Sequence, residues 1–454
     1  MAETIELMDP TDRPSLWRKD ATPHKGYVAA EPPTYEEILR CTHCGLCLNQ
    51  CPTYRVLGIE ADSPRGRIYL MRSVHEGRGD VDADFANHMF VCLACRACET
   101  ACPATVRFGG LVEMARAQVQ AGHLANEPRA ARLLRQIVFE QLMPSPGRLE
   151  FAAGLTRLYQ RSGAQSLVRK SGLLRVLPGD LDKREALMPK LPPKNFKAEG
   201  QVYPAIGEKR ARVALFNGCI MPLAYGPTQE ATVRVLQRNG VEVVVPKDQA
   251  CCGALAVHAG LREQGKEQAK RNIPVFEALG VDAVIINAAG CGVVLKEYGE
   301  LLQNDPVWAE RAHRFSASVR DVSEFLVDLG LRPPTKEMNV RVTYQDPCHL
   351  AHGQGIRLQP RELLRSIPGL ELVEMRDSDR CCGSAGIYNI TNPDISMRVL
   401  DEKMTNVKAT NADMIVTANP GCMLQLQAGC ERYDYPAEVA HVIDLLDQAY
   451  GATG

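Results

Sequence analysis

One cysteine pattern occurs twice in this chain and limits its fold more than any other feature. The pattern is C-x2-C-x2-C-x3-C followed by proline, and 40 residues separate the two copies. Its eight members are Cys41, Cys44, Cys47, Cys51, Cys92, Cys95, Cys98 and Cys102. In such runs three thiolates on a short loop hold one iron–sulfur cluster, and the fourth holds a second cluster. Two copies in one chain therefore predict a two-cluster module of the ferredoxin type.

The cross-over rule for these runs assigns the ligands of both clusters. Cluster 1 is predicted to be held by Cys41, Cys44, Cys47 and Cys102. Cluster 2 is predicted to be held by Cys92, Cys95, Cys98 and Cys51. Two structural zinc sites are the alternative. Zinc sites usually show separated C-x2-C pairs, without a third cysteine two residues later or a proline after the run, so iron–sulfur clusters are favoured.

A second set of cysteines indicates an internal duplication in the C-terminal half. Corresponding cysteines are offset by 129, 130 and 131 residues. The sequence segments around the paired cysteines, QACCGA and DRCCGS, also match. Such a nearly constant offset predicts a duplicated unit with small loop insertions. The corresponding pairs are Cys219 with Cys348, Cys251 with Cys381, and Cys291 with Cys422.

Each of these CCG units gathers four thiols that are candidates for a third metal centre. The first CCG unit contributes Cys219, Cys251, Cys252 and Cys291. The second CCG unit contributes Cys348, Cys381, Cys382 and Cys422. Adjacent cysteines strain the ligand shell of a single tetrahedral ion. The residues leave three alternatives open: an additional iron–sulfur centre, a zinc site in one unit, or buried structural thiols.

Composition and periodicity divide the chain into five parts. Residues 1–35 are predicted to be a loose lead-in, 36–190 an α-helical two-cluster domain, and 191–210 a linker rich in proline and lysine. Short apolar strands then alternate with helical patterns, which predicts two α/β domains over 211–335 and 336–454. The predicted fold class is α+β and multi-domain, with a ferredoxin-type helical domain followed by two duplicated α/β cysteine-rich domains.

Several individual residues receive weaker predictions. His258, His349 and His352 are interpreted as hydrogen-bonded loop or core residues rather than ligands or proton relays. Arg65 and Arg67 are interpreted as exposed side chains. Cys430 has no counterpart in the duplication and is predicted to be a packed thiol. The arginine-rich helices at 115–170 are expected to present solvated faces.

Composition and the motifs that the sequence lacks exclude several classes of protein. A net charge of -1 does not predict a nucleic-acid partner. The first residues lack a basic and an apolar signal region, so a cytoplasmic setting is expected for the 17 cysteines. No apolar run reaches the ~18 residues of a membrane span. Without a nucleotide-binding glycine loop or a nucleophile elbow, no catalytic residue is predicted.

The chain closely resembles the iron–sulfur subunits of bacterial glycolate oxidase (glycolate dehydrogenase) over about residues 36–450. The similar sequence segments are CTHCGLCLNQCPTY, SPRGRIYLM, CLACRACETACP, the two segments around CCG and NPGCMLQL. The C-terminal units resemble the wider CCG family, which includes the B subunits of heterodisulfide reductases. This resemblance implies two 4Fe–4S clusters on the eight N-terminal cysteines and a complex with FAD-containing glycolate oxidase subunits.

The predicted function is electron transfer from that flavoprotein, through the two clusters, to a membrane quinone or a similar acceptor. The resemblance also implies peripheral association with the inner membrane through the complex. Two alternatives remain open. One is the electron-transfer subunit of a lactate or glycerol-3-phosphate dehydrogenase. The other is a heterodisulfide-reductase-like thiol/disulfide subunit, although Val294 and Gln425 stand where those subunits have a further cysteine after Cys291 and Cys422.

Overall fold

Helices surround both N-terminal cysteine runs. The computed structural model describes residues 26–124, 133, 135–172, 174, 185 and 188–451, so residues 1–25 of the predicted lead-in lie outside it. The helices of the first domain are α1 (Tyr35–Leu39), α2 (Pro52–Leu57), α3 (Pro64–His75), α4 (Ala83–Val91), α5 (Ala97–Thr100) and α6 (Phe108–Leu124), with a 3-10 turn at Glu60–Asp62.

Local sequence signals explain where these helices begin. Ser63 caps α3 by accepting a hydrogen bond from the Gly66 amide at 3.0 Å, and proline follows at the first helical position. Asp82 caps α4 in the same way through the Phe85 amide at 2.8 Å. One helix precedes each cysteine run, α1 before the first and α4 before the second. The helix after the second run, α6, ends at Leu124.

A helical segment connects the first domain to the CCG units. It contains a π-helical stretch (Gln136–Leu142), α7 (Pro146–Arg161) and α8 (Ala164–Ser171). Leu149 and Ala153 on α7 pack against Leu223 of the first CCG unit. This segment therefore covers part of that unit.

The first CCG unit is built on a five-stranded sheet. Its strands are β1 (Gln201–Tyr203), β2 (Ala211–Leu215), β3 (Val241–Val245), β4 (Ala283–Ile286) and β5 (Val319–Asp321). The strand order is β1-β3-β2-β4-β5, with β1 antiparallel to β3 and all other pairs parallel. Its helices are α9 (Met221–Ala224), α10 (Gly226–Arg238), α11 (Ala254–His258), α12 (Arg262–Glu277), α13 (Ala289–Lys296), α14 (Tyr298–Leu301), α15 (Ala309–Ser318) and α16 (Val322–Leu329).

The second CCG unit repeats this architecture on four parallel strands. They are β6 (Arg341–Tyr344), β7 (Glu371–Val373), β8 (Met414–Thr417) and β9 (Glu438–His441), in the order β7-β6-β8-β9. Its helices are α17 (Cys348–Ala351), α18 (Gln359–Arg365), α19 (Tyr388–Thr391), α20 (Pro393–Lys408), α21 (Pro420–Arg432) and α22 (Val442–Tyr450). This order matches β3-β2-β4-β5, so the predicted duplication of an α/β unit is confirmed.

One strand lies where the sequence predicts a linker. The three residues of β1 fall within 191–210 and pair with the outer edge of β3, from Gln201 opposite Val245 to Tyr203 opposite Val243. An edge strand needs partners on one side only, so three residues suffice here. The stretch thus extends the sheet as well as joining two domains.

The two CCG units share one hydrophobic core, which includes Leu215 and Val243 of the first sheet and Tyr344 and Val416 of the second. His441 reinforces this junction. Its Nδ1 accepts a hydrogen bond from the Ile443 amide, and its Nε2 therefore carries the proton donated to the Asn287 carbonyl at 2.9 Å. The imidazole is thus held in its neutral form.

Acidification is expected to weaken this junction. Burial lowers the pKa of His441 from 6.5 to about 4. The unfolded chain then binds the proton first, so this contribution to stability is complete above about pH 6.5 and is lost as the pH falls toward 4. Between pH 7 and pH 5, denaturant unfolding should show a loss of about 2 kcal/mol more in the wild type than in His441→Asn. An equal loss in both chains would contradict the assignment.

Candidate iron–sulfur and thiol sites

The two N-terminal cysteine loops have the same backbone path. The third residue of each run has a positive φ, 55° at His43 and 51° at Ala94. The fifth residue does too, with 86° at Gly45 and 63° at Arg96. Non-glycine residues rarely adopt this left-handed conformation, and both loops hold one at the same position. The sequence repeat is therefore a structural repeat.

The structure brings the fourth cysteine of each run toward the other run. Burial raises the pKa of the Cys41 thiol, and the charge of nearby Cys102 raises it further. Burial likewise raises the pKa of Cys98 well above its usual value, with added contributions from Cys95 and Cys51. Cys51 also lies near Cys47, four residues before it in its own run. Both loops thus meet around a common set of thiols.

This donor set fits iron–sulfur clusters. The eight side chains are soft thiols on two matched loops, which is the ligand chemistry of such clusters. Because burial raises the pKa of several of them, the metal-free thiols hold their protons at neutral pH, and metal binding has to release these protons. In the part of the chain that the structure describes, no group of three or more Cys, His, Asp or Glu side chains has the arrangement for one metal ion.

Two buried arginines lie beneath the second loop. Arg67 is 0% exposed and donates hydrogen bonds to Thr53 Oγ1 at 3.2 Å and to the His88 carbonyl at 2.6 Å. Arg116 is also buried and donates to the Met89 and Cys92 carbonyls. The prediction that Arg67 is exposed is wrong. Burial raises the pKa of Cys51, and the positive charge of Arg67 opposes that rise.

Replacing Arg67 with methionine is expected to destabilise the chain and to make cluster 2 harder to reduce. Arg67 lies 3.6 Å from the buried Asp62 carboxylate, and removing one partner of a buried ion pair costs about 3 kcal/mol. Reduction adds negative charge, so loss of a nearby cation lowers the reduction potential. Denaturant unfolding and an EPR-monitored redox titration measure the two effects.

Arg72→Met is the matched control, because Arg72 lies on the same helix and pairs with Glu76 at the surface. It is expected to leave both the stability and the potential at their wild-type values. A wild-type potential in Arg67→Met would show that the buried charge does not act on the cluster.

The first CCG unit collects its thiols at the carboxyl ends of parallel strands. Cys219 follows β2, the Cys251–Cys252 pair follows β3, and Cys291 follows β4. The strands β3 and β4 lie on opposite sides of β2, an arrangement in which α/β sheets commonly bind ligands at the carboxyl ends of their strands. The Sγ atoms of Cys219 and Cys251 are 3.5 Å apart, and those of Cys252 and Cys291 are 3.1 Å apart.

The second CCG unit repeats this arrangement. Cys381 lies close to Cys348 and Cys382, and Cys382 in turn lies close to Cys422. The glycine after each cysteine pair explains part of the likeness. Gly253 and Gly383 have φ values of 81° and 93°, and their amides donate to the Sγ atoms of Cys251 and Cys381. All four predicted thiols of each unit are therefore brought together.

Each unit holds one sulfur whose pKa is lowered. Hydrogen bonding with neighbouring thiols lowers the pKa of Cys251 in the first unit and of Cys382 in the second well below the usual value. The same hydrogen bonds, with burial, raise the pKa of Cys219 and of Cys422.

The second CCG unit lies directly against the loop of the second cysteine run. Cys95 and Cys381 belong to one hydrophobic cluster with Tyr388, whose hydroxyl donates to the Val91 carbonyl at 2.8 Å. His349 Nε2 lies 2.9 Å from the carbonyl of Ala94, within the loop itself. The charge of Cys348 adds to the effect of burial in raising the pKa of Cys95.

The thiols of the first CCG unit have different surroundings. Cys251 and Cys252 lie in the core of their own unit, and Cys219 packs near Leu149 of the helical segment. The duplicated units are therefore alike in their thiol arrangement but differ in what they adjoin. Only a three-dimensional structure reveals this difference, because the two cysteine patterns are almost the same.

The remaining side chains singled out in the sequence are hydrogen-bonded or packed. Nδ1 of His258 lies 2.7 Å from Glu113, and Nε2 of His352 lies 2.9 Å from the Asp379 carbonyl. Cys430 is buried in an apolar cluster, as predicted for a packed thiol.

Comparison with family models matches four segments of the chain. The model described as "4Fe-4S dicluster domain" matches residues 37–106. The model "Glycolate oxidase iron-sulfur subunit, linker region" matches residues 130–188. The "Cysteine-rich domain" model of the CCG family matches twice, at 213–296 and 342–427.

Comparison with curated proteins extends the match to most of the chain. The chain is 48% identical to the probable glycolate oxidase iron-sulfur subunit of Bacillus subtilis (strain 168) over 423 residues, which cover 91% of this chain and 94% of that protein. The chain belongs to the family of glycolate oxidase iron–sulfur subunits. The glycolate oxidase iron-sulfur subunit of Escherichia coli (strain K12) is 35% identical, with 91% and 95% covered.

A more distant relative shares about half of the chain. It is a fumarate reductase (CoM/CoB) subunit of Methanothermobacter marburgensis, 36% identical over 245 residues, which cover 53% of this chain and 47% of that protein. The resemblance to glycolate oxidase iron–sulfur subunits and to the CCG family is thus confirmed.

Membership in this family makes the chain an electron-transfer subunit, carrying iron–sulfur clusters, of an oxidoreductase complex that has other subunits. The predicted fold class is confirmed by the two-cluster and CCG matches. Among the helices that the structure describes, none has the length and apolar character to cross a membrane.

Proposed function

We propose that this glycolate oxidase iron–sulfur subunit carries electrons from the FAD of a partner subunit, which oxidises glycolate to glyoxylate, to a quinone in the inner membrane. The observation that carries this proposal is the packing of cysteines from both N-terminal runs in one cluster, where Cys102 of the second run lies with Cys41 and Cys47 of the first. Two sites that share ligands between runs keep two electron carriers close together.

Cluster 1 is assigned to Cys41, Cys44, Cys47 and Cys102. Cluster 2 is assigned to Cys92, Cys95, Cys98 and Cys51. When bound, 4Fe–4S clusters accept and release single electrons. Cys44 is exposed, whereas every ligand assigned to cluster 2 is buried. The site of cluster 1 therefore faces a docking flavoprotein. The site of cluster 2 lies in the interior, next to the second CCG unit.

The oxidation of glycolate is assigned to a partner, because one-electron carriers do not take a hydride from a hydroxy acid. The chain itself is proposed to be cytoplasmic and peripherally bound at the inner membrane. Its residues would bind the two clusters, bury them and determine the order in which electrons pass from one to the other.

The experiment is anaerobic EPR on the chain with and without the flavoprotein that co-purifies with it. Glycolate should generate the signal of reduced clusters only when the flavoprotein is present, and added ubiquinone-1 should then abolish it. Reduction of the chain by glycolate alone, or no reduction by glycolate with the flavoprotein present, would contradict the proposal.

The four converging thiols in each CCG unit favour a second candidate, a thiol/disulfide centre like that of heterodisulfide reductases. The relative named as a CoM/CoB fumarate reductase protein is similar to about half of this chain. Iron and zinc analysis distinguishes the contents of the units. About eight irons per chain mean two clusters only, whereas additional iron or one zinc places a third centre in a CCG unit.

A further inference from the structure

The connecting helix α7 carries apolar side chains on two opposite faces. Leu149 and Ala153 point into the protein and pack near Leu223. On the other side Phe151, Leu155 and Leu158 are 71%, 54% and 65% exposed. We refer to these three residues as the apolar stripe.

The spacing of the apolar stripe places its side chains together. Positions i, i+4 and i+7 of an α-helix lie within an arc of about 60°. Isolated exposed apolar residues are normal, whereas three large ones on one helical face mark an interaction surface. On α8, Leu167 adds another side chain that is 72% exposed.

Positive charges flank the apolar stripe. Arg148 and Arg161 lie on either side of it by helical position, and both are exposed. Residues 146–171 contain five basic side chains and one acidic side chain, although the whole chain has a net charge of -1. Three of these cations have partners within the protein, since Arg148 donates to the Gln141 carbonyl, Arg157 donates to the Pro192 carbonyl and Arg169 pairs with Glu185. The segment still has an excess of positive charge.

From this combination we infer that α7 and α8 form a docking surface for an anionic lipid bilayer. An apolar face bordered by arginine and lysine enters the headgroup region, where the basic side chains meet lipid phosphates. The inference rests on the proposed association with the inner membrane and adds which surface provides it.

Vesicle flotation of the cluster-loaded full chain tests this inference. The wild type should float with vesicles of equal parts phosphatidylcholine and phosphatidylglycerol. Phe151→Ser, Leu155→Ser and Leu158→Ser combined should weaken binding by about tenfold or more. Arg148→Gln with Arg161→Gln should weaken binding to these vesicles and reduce its dependence on salt.

A matched control uses exposed apolar residues elsewhere. Val307 and Leu358 are 66% and 67% exposed and lie outside α7 and α8, so Val307→Ser with Leu358→Ser removes exposed apolar side chains elsewhere and should bind vesicles like the wild type. Iron content and the visible spectrum confirm that each variant is folded and loaded.

The outcomes separate this inference from the proposed function. Equal flotation of the wild type and the apolar-stripe variant overturns the inference. So does a variant that keeps vesicle binding but loses the co-purifying flavoprotein, because the surface then belongs to that flavoprotein. If the wild type does not float while the complex still reduces ubiquinone-1, the inference falls and the proposed function stands. If the complex floats with vesicles but cannot reduce quinone, the result supports the inference and contradicts quinone as the electron acceptor.

Discussion

Replacing Cys102 with alanine should damage the same cluster as replacing Cys44, although Cys102 belongs to the other cysteine run. The proximity of Cys102 to Cys41 is the physical reason. Each variant should keep about four of the roughly eight irons, because one of two cubes loses a ligand. Conversely, Cys51→Ala and Cys95→Ala should both remove cluster 2. Iron analysis and EPR of the dithionite-reduced chains identify which signal each variant loses.

Cys430→Ala is the control, since Cys430 is a packed thiol far from both runs in sequence. It should retain about eight irons and both signals. If Cys102→Ala instead removes the signal that Cys95→Ala removes, each run holds its own cluster and the assigned ligands are not exchanged.

Removing thiols from the second CCG unit should slow the reoxidation of the clusters by ubiquinone-1 by about tenfold, which is about 1.4 kcal/mol in the barrier. We expect this slowing because Cys381 lies next to the proposed cluster 2, in one apolar cluster with Cys95. The variant is Cys381→Ala with Cys382→Ala. Stopped-flow absorbance on the anaerobically reduced chain measures the rate.

The internal duplication supplies a matched control, Cys251→Ala with Cys252→Ala in the first CCG unit. These two cysteines have the same exposures as their counterparts, 5% and 2%, but they lie in the core of their own unit. This control should stay within about twofold of the wild-type rate. Equal slowing in both variants would contradict a directional role for the second unit.

The sequence was sufficient to predict the elements that have a strong local pattern. The apolar run that begins at Ala211 forms β2, and the run that begins at Val241 forms β3. The regular offset between the two cysteine sets predicted a duplicated unit, because equal spacing requires equal element lengths. The strand orders of the two sheets confirm it.

The burial of Arg67 was missed because a basic residue in a helix is usually exposed. A signal was present, however. Arg67, Met71 and Val74 occupy positions i, i+4 and i+7 of α3, so Arg67 lies on the apolar face of that helix. A charged residue on an apolar helical face indicates a buried partner, here Thr53 and the His88 carbonyl.

The different surroundings of the two CCG units could not be predicted from sequence. The contact of Tyr388 with Val91 joins residues 297 positions apart, and the contact of His349 with Ala94 joins residues 255 apart. Such contacts depend on how domains pack, which local periodicity does not encode. The short strand β1 was also missed, because three residues carry too little pattern to identify a strand.

The central claim is that eight N-terminal thiols hold two iron–sulfur clusters, and iron analysis of the anaerobically purified chain tests it most directly. We expect a brown protein with at least about eight irons per chain. A colourless, iron-free chain that is folded and active in electron transfer would contradict the account.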